Sequence, residues 1–143
     1  MPDLIAQLVA TQQLCLVLLH VIPVPYVSLP RWGMYRTLPT SGQRKQAEDS
    51  LYKARSALQE QGVCLERIEI LLRSGTPADE IVKAAKELGA DFIIIGSQGN
   101  SFKQKMRRFL AGSTSRQVLK LAPCPVLIAP LHQTPYPHSL VAW

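Results

Sequence analysis

Cysteine is scarce in this sequence. Cys15, Cys64 and Cys124 are its only three, and none falls in a CxxC pair or at metal-ligand spacing. That argues against a disulfide framework or a zinc site and fits reduced thiols in a cytoplasmic protein. Long apolar runs are missing as well. The longest, 14–22, is broken by His20 and falls far short of the roughly 20 residues needed to cross a bilayer. The opening Met-Pro-Asp-Leu has no basic stretch ahead of an apolar one, so no secretory signal is read there and the cytosol is the expected location, without membrane insertion. There is no GK[ST] triplet, which excludes a P-loop. No serine–histidine–acid set or close carboxylate pair supports hydrolysis, so the residues warrant no enzymatic assignment. No aromatic platform is interleaved with the basic residues, which weakens the case for single-stranded nucleic acid.

The composition of the 143 residues is that of a globular domain, 47% hydrophobic and 18% charged, with a net charge of +6. One domain of this length buries a real core, and its charge favours anionic partners. The run 14–21 is apolar without alternation, the pattern of a strand buried on both faces of a parallel sheet. Ahead of it, residues 3–11 read as the end of a helix with Leu4, Ile5 and Leu8 on one side. Residues 23–40 hold four prolines together with Tyr26, Trp32 and Tyr35, and read as a long structured loop packed on its own side chains. A helix is predicted over 42–61, with Ala47, Leu51, Ala54 and Leu58 as its apolar stripe and Gly62 as its stop. A strand over 63–72 follows, closed by Gly75. Thr76-Pro77-Ala78-Asp79-Glu80 is a helix start, with Thr76 placed to accept from first-turn amides and two acids at the positive end of the dipole. Ile81, Ala84, Ala85 and Leu88 form the predicted buried stripe, ended by Gly89. Strands at 92–95 and 125–129 flank a helix beginning near Ser113. Strands alternating with helices imply right-handed crossovers and an open parallel α/β sheet, Rossmann-like, with helices on both faces. The domain is expected over 1–130, with a separate proline-rich tail over 131–143.

In such a sheet, ligands bind beyond the carboxyl ends of the strands. The strand 92–95 runs into Gly96-Ser97-Gln98-Gly99, where glycines let the backbone approach a phosphate closely. Further on, Gly112-Ser113-Thr114 opens a helix whose free amides, positive dipole and hydroxyls suit a phosphate. The two elements form a candidate cradle for a phosphorylated ligand. By itself the pattern is equally that of a strand-ending turn followed by an ordinary helix cap.

The succession Gly75-Thr76-Pro77, Ile81-Val82-Lys83-Ala84-Ala85, Gly89-Ala90-Asp91 through Gly99, Leu110-Ala111-Gly112-Ser113-Thr114-Ser115 and Ala122-Pro123-Cys124-Pro125 resembles the C-terminal half of the universal stress protein family. Leu18-Leu19-His20-Val21 is similar to that family's second strand. The resemblance implies a five-strand sheet in order 3-2-1-4-5, a homodimer or a tandem partner domain, and, in one subset, ATP binding, with Mg as the accompanying ion. That subset carries G-x2-G-x9-G-[ST]. By resemblance, Ile95, Gly96 and Gly99 would meet ribose and phosphate, Gly112, Ser113 and Thr114 the phosphates, and the Val21 backbone the adenine. Two departures stand out. Twelve residues separate Gly99 from Gly112 where the pattern has nine, and the family's opening strand with its aspartate is not read ahead of the first helix. Burying such a strand's four or five side chains contributes roughly 6–15 kcal/mol, as much as a domain's whole net stability of about 5–15 kcal/mol. The slot is therefore expected to be filled. The tail 140–143 is read either as inserted into its own sheet or as exchanged with a partner chain. The favoured reading is a piece of a tandem protein, with the tail as a makeshift filler.

Three further features are weighed. Lys103, Lys105, Arg107 and Arg108 read as a solvated face more than as an RNA contact. His20 reads as a packed core residue, and His132 and His138 lack partner ligands. The rival to nucleotide binding is an interaction module whose phosphate loop is vestigial.

Overall fold

The structure, a computed structural model, describes Ile5, Ala6, Val9 and residues 14–96 and 113–129. In chain order these hold β1 (Leu16–Pro23), β2 (Tyr26–Leu29), β3 (Gly33–Arg36), α1 (Ser41–Glu60), a single 3-10 turn (Leu65–Arg67), β4 (Ile68–Gly75), α2 (Pro77–Leu88), β5 (Ile93–Gly96), α3 (Ser113–Leu121) and β6 (Val126–Ala129). Ile5, Ala6 and Val9 are helical and buried. Leu4 and Leu8, expected beside Ile5, lie outside the described residues.

Each local signal acts through an identifiable contact. α1 starts at a capping box: Thr40 Oγ1 accepts from the Gln43 amide at 3.2 Å, and Gln43 Oε1 accepts from the Thr40 amide at 2.9 Å. The two bonds satisfy orphan donors reciprocally. Of its predicted stripe Ala47, Leu51 and Leu58 are buried, whereas Ala54 is exposed. Helix α1 ends where Gly62 adopts φ +89° and α2 where Gly89 adopts φ +60°, left-handed stops that glycine adopts without strain. In α2 the buried residues are Ala78, Val82, Ala84 and Ala85. Ile81 is only half-buried and Leu88 is 49% exposed, so the inner face is turned toward the 78/82/85 row. Thr76 makes no side-chain cap; its carbonyl accepts from the Glu80 amide at 3.0 Å instead. The strand expected over 63–72 begins later, because the Arg67 amide bonds back to the Cys64 carbonyl at 3.0 Å and closes the 3-10 turn first. It then continues to Gly75.

β1 and β4 pair in parallel, from Leu16 opposite Ile68 to Pro23 opposite Gly75. β5 and β6 pair in parallel, from Ile93 opposite Val126 to Gly96 opposite Ala129. Among the described residues no ladder joins the two pairs. They belong to one fold through side chains. Ile5, Ala6, Val9, Leu58, Val63 and Ile68 form a buried cluster, and Leu16 and Leu18 of one pair and Ile94 of the other press on it. Successive residues of β1 point to opposite faces, and those from Leu16 to Val21 are all half-buried, so both faces are covered. α2 packs on β1, β4 and α3, and α3 on β6.

The proline-rich segment departs from its reading as a self-packed loop. Residues 26–36 form an antiparallel hairpin, Tyr26 opposite Arg36 and Leu29 opposite Gly33, with Gly33 at φ +82° in the turn. Trp32 is 73% exposed. Packing within the segment is represented by Tyr26, whose ring lies 5.1 Å below the Arg36 guanidinium and whose hydroxyl accepts from Arg36 at 2.9 Å.

Gly75 closes β4 with φ +152°, and a Cβ there would meet Glu80 Cγ at 2.8 Å and Arg36 Nη1 at 3.0 Å. Gly75→Ala is expected to destabilise the domain by about 1–3 kcal/mol, read as a lowered urea midpoint at unchanged slope; an unchanged midpoint would show that this junction relaxes freely.

Candidate functional site

Because β1 and β4 run in parallel and in register, their carboxyl ends at Pro23 and Gly75 share one edge. The ends of β5 and β6 at Gly96 and Ala129 do the same. Ile95 and Gly96 are the last two residues of β5 and are half-buried. α3 lies between β5 and β6 in the chain. A helix linking two parallel strands runs back against them, which puts its first turn at the carboxyl edge. Ser113 opens that turn and is exposed, Thr114 is half-buried and Ser115 is buried. Val118, fully buried, anchors the helix from its inner side. No acidic residue stands in the first turn, so nothing there opposes the positive end of the dipole.

Of the predicted site residues, Ile95, Gly96, Ser113 and Thr114 thus belong to one edge of the β5–β6 pair. Val21 lies two residues from the end of β1, opposite Arg73 in register, on the other side of the seam between the pairs. Gly99 and Gly112 lie outside the described residues, as does the basic cluster at Lys103, Lys105, Arg107 and Arg108. His20 sits half-buried on β1 opposite Leu72.

The carboxyl edge of the β1–β4 pair carries a charge network that residue spacing did not disclose. Glu80, in the first turn of α2, receives Arg36 from β3 at 3.8 Å and Arg73 from β4 at 4.0 Å. Arg73 also donates a hydrogen bond to Glu87. The sequence offered Glu80 as a dipole partner only; its second role needs a hairpin that proline content alone does not specify. An open depression of about 380 Å³ lies along α2, lined by Asp79, Val82, Lys83, Lys86, Glu87 and Leu121. None of the predicted site residues lines it.

The sequence profile described as Universal stress protein family matches residues 3–130. The chain belongs to this family. Among its relatives, Universal stress protein MJ0531 of Methanocaldococcus jannaschii is 33% identical over 111 residues, covering 77% of this chain and 61% of that protein. Universal stress protein YxiE of Bacillus subtilis is 38% identical over 85 residues, covering 59% of this chain and 53% of that protein. The chain therefore spans little more than half the length of these curated relatives. Two solved folds align well: a universal stress protein in complex with cAMP, with TM-score 0.61 and 22% identity over 90% of this chain and 82% of that one, and the Archaeoglobus fulgidus protein in complex with dAMP, with TM-score 0.58 and 21% identity over 89% and 82%. At that identity they establish the shared Rossmann-like α/β fold. No helix among the described residues is long and apolar enough to cross a membrane.

The hydrogen bond from Arg73, reinforced by its charge and that of Lys83, holds the Glu87 carboxyl below the ordinary carboxylate range against a smaller desolvation effect. A depressed folded-state pKa contributes stability at neutral pH that is lost as pH falls through the depressed value. Carbon-13 titration of the Glu87 carboxyl is expected to show a midpoint below that of a free glutamate. Arg73→Met should raise it toward the normal value; an unmoved midpoint would mean that the pair does not persist in solution.

Proposed function

We propose that this universal stress protein domain binds an adenine nucleotide, ATP first among them, and serves as a cytoplasmic, homodimeric regulator in stress response. One observation supports the reading: the half-buried end of β5 at Ile95–Gly96 and the acid-free first turn of α3 at Ser113 and Thr114 belong to the carboxyl edge of one parallel pair. Amides and hydroxyls there suit polyphosphate oxygens. In this reading Ile95, Gly96 and Gly99 meet ribose and phosphate, Gly112, Ser113 and Thr114 hold the phosphates, and the Val21 backbone meets the base. The complexes of related folds with cAMP and dAMP support an adenine ligand. Mg enters as the counter-ion of the phosphates; among the described residues no three His, Cys, Asp or Glu side chains gather to hold a metal.

A second reading, a non-nucleotide interaction module, is favoured by one specific feature, the twelve residues between Gly99 and Gly112 in place of nine. Calorimetry with Mg-ATP separates the two. Micromolar-range binding is expected, weakened by Ser113→Ala by about 1.5–3 kcal/mol for one charge-assisted hydrogen bond and also by Gly99→Val. Neither heat nor thermal stabilisation at millimolar ATP would leave the interaction module standing, and a dimer whose sedimentation ignores ATP would agree with it.

A further inference from the structure

Seven of the fourteen large apolar side chains exposed among the described residues lie between Tyr26 and Leu38, so they are concentrated in one short stretch. Trp32, Met34 and Leu38 are the most open of them. The backbone that carries them is well defined. Pro30 and Arg31 fill the middle of a turn closed by the Trp32 amide on the Leu29 carbonyl at 3.2 Å. Gly33, at positive φ, then starts the return strand, as three-residue hairpin loops ordinarily do. The base is tied down. The Thr37 amide donates to the Pro25 carbonyl at 3.4 Å, the Val24 amide donates to the Gly75 carbonyl at 3.3 Å, and Arg36 reaches Glu80. All eight residues of β2 and β3 are nevertheless exposed. A two-stranded hairpin that buries no side chain is marginally stable at best, and concentrated apolar exposure marks interaction sites on folded proteins.

The charge around the hairpin has one sign. Residues 4–47 include no Asp or Glu, while Arg31, Arg36, Arg44 and Lys45 fall among them. Arg31 is exposed at the tip. Arg44 and Lys45 are exposed near the start of α1, the end of a helix where the dipole favours acids instead. Of the four, only Arg36 has an acidic partner among the described residues. We propose that the β2–β3 hairpin docks an acidic protein, whose binding surface sets apolar side chains against Trp32, Met34 and Leu38 and ringing carboxylates against Arg31, Arg44 and Lys45. Charge complementarity selects this occupant. A second copy of the chain would bring two acid-free hairpins together. A bilayer entered tip-first would take the Arg31 guanidinium toward the hydrocarbon, where a charge is costly. None of the residues assigned to the nucleotide belongs to the hairpin, so the docking stands independently of that assignment.

Calorimetry and amide resonance shifts on the full chain, titrated with a random copolymer of glutamate and tyrosine, test the docking. The copolymer is expected to bind, to shift the amides of residues 26–38, and to bind less tightly as salt screens the charges. Polyglutamate without tyrosine should bind more weakly. Trp32→Ser combined with Leu38→Ser should weaken copolymer binding by about tenfold or more, and Arg31→Glu alone by about tenfold. Leu88→Ser, an exposed apolar residue outside the hairpin, should leave it unchanged, and saturating Mg-ATP should not displace the copolymer. Absence of binding, binding that the hairpin variants leave intact, or displacement by ATP would each overturn the proposal. Self-association in sedimentation that the Trp32 and Leu38 changes abolish would give the hairpin to a second copy instead. Binding to mixed phosphatidylcholine and phosphatidylserine vesicles that is tighter than to the copolymer, and lost in the same variants, would give it to a membrane. Either result would overturn an acidic protein as the occupant.

Discussion

One apolar cluster brings together two parallel strand pairs that, among the described residues, share no ladder. Ile5, Ala6 and Val9 supply its helical side, Leu58 comes from α1, and Val63 and Ile68 lead into β4. Leu16 and Leu18 reach it from one pair and Ile94 from the other. Dispersion and hydrophobic burial are non-directional, so this cluster holds the pairs near each other without fixing their register. Register within each pair comes from backbone hydrogen bonds; register between the pairs has no such source among the described residues. The predicted site spans that division, with Val21 on one side and Ile95, Gly96, Ser113 and Thr114 on the other. Any ligand touching both groups would depend on how firmly the cluster holds them.

Polar contacts complement the cluster at the carboxyl edge of the β1–β4 pair. Glu80 brings together Arg36 of the hairpin and Arg73 of β4, and Arg73 passes on to Glu87. The arrangement depends on Gly75, because a side chain there would occupy the space taken by Glu80 and Arg36. These are partly exposed pairs, individually worth little in water, but they are linked, and they attach β3 to the first turn of α2. The β1–β4 pair is thus held by apolar contact near its amino end, where Leu16 and Ile68 open the strands, and by charge at its carboxyl edge.

Much of this was legible in the residues. The unalternating run 14–21, the Thr76-Pro77 helix start, and Gly62 and Gly89 as stops each correspond to an element or boundary, because each depends on local sterics. The errors arose where distant partners decide. Ala54 fits the helical period but faces solvent, and the inner face of α2 turned toward Val82 because α2 rests on β1, β4 and α3 together. The hairpin at 26–36 was hidden behind prolines whose effect on backbone donors is plain but whose turn geometry depends on Gly33. At the site, the ends of β5 and α3 could be read from glycine and hydroxyl spacing. The Arg36–Glu80–Arg73 contacts could not, since Arg36 reaches Glu80 only through a hairpin far from it in sequence.

The β2–β3 hairpin is an arm with apolar groups on both of its faces. Tyr26 and Met34 lie on one face, Val27, Leu29 and Tyr35 on the other, by the register of the strands, and all five are exposed. A flat surface laid against such an arm shelters one side and leaves the other wet. Only a cleft with two walls removes both from water, so the shape that complements this arm is concave.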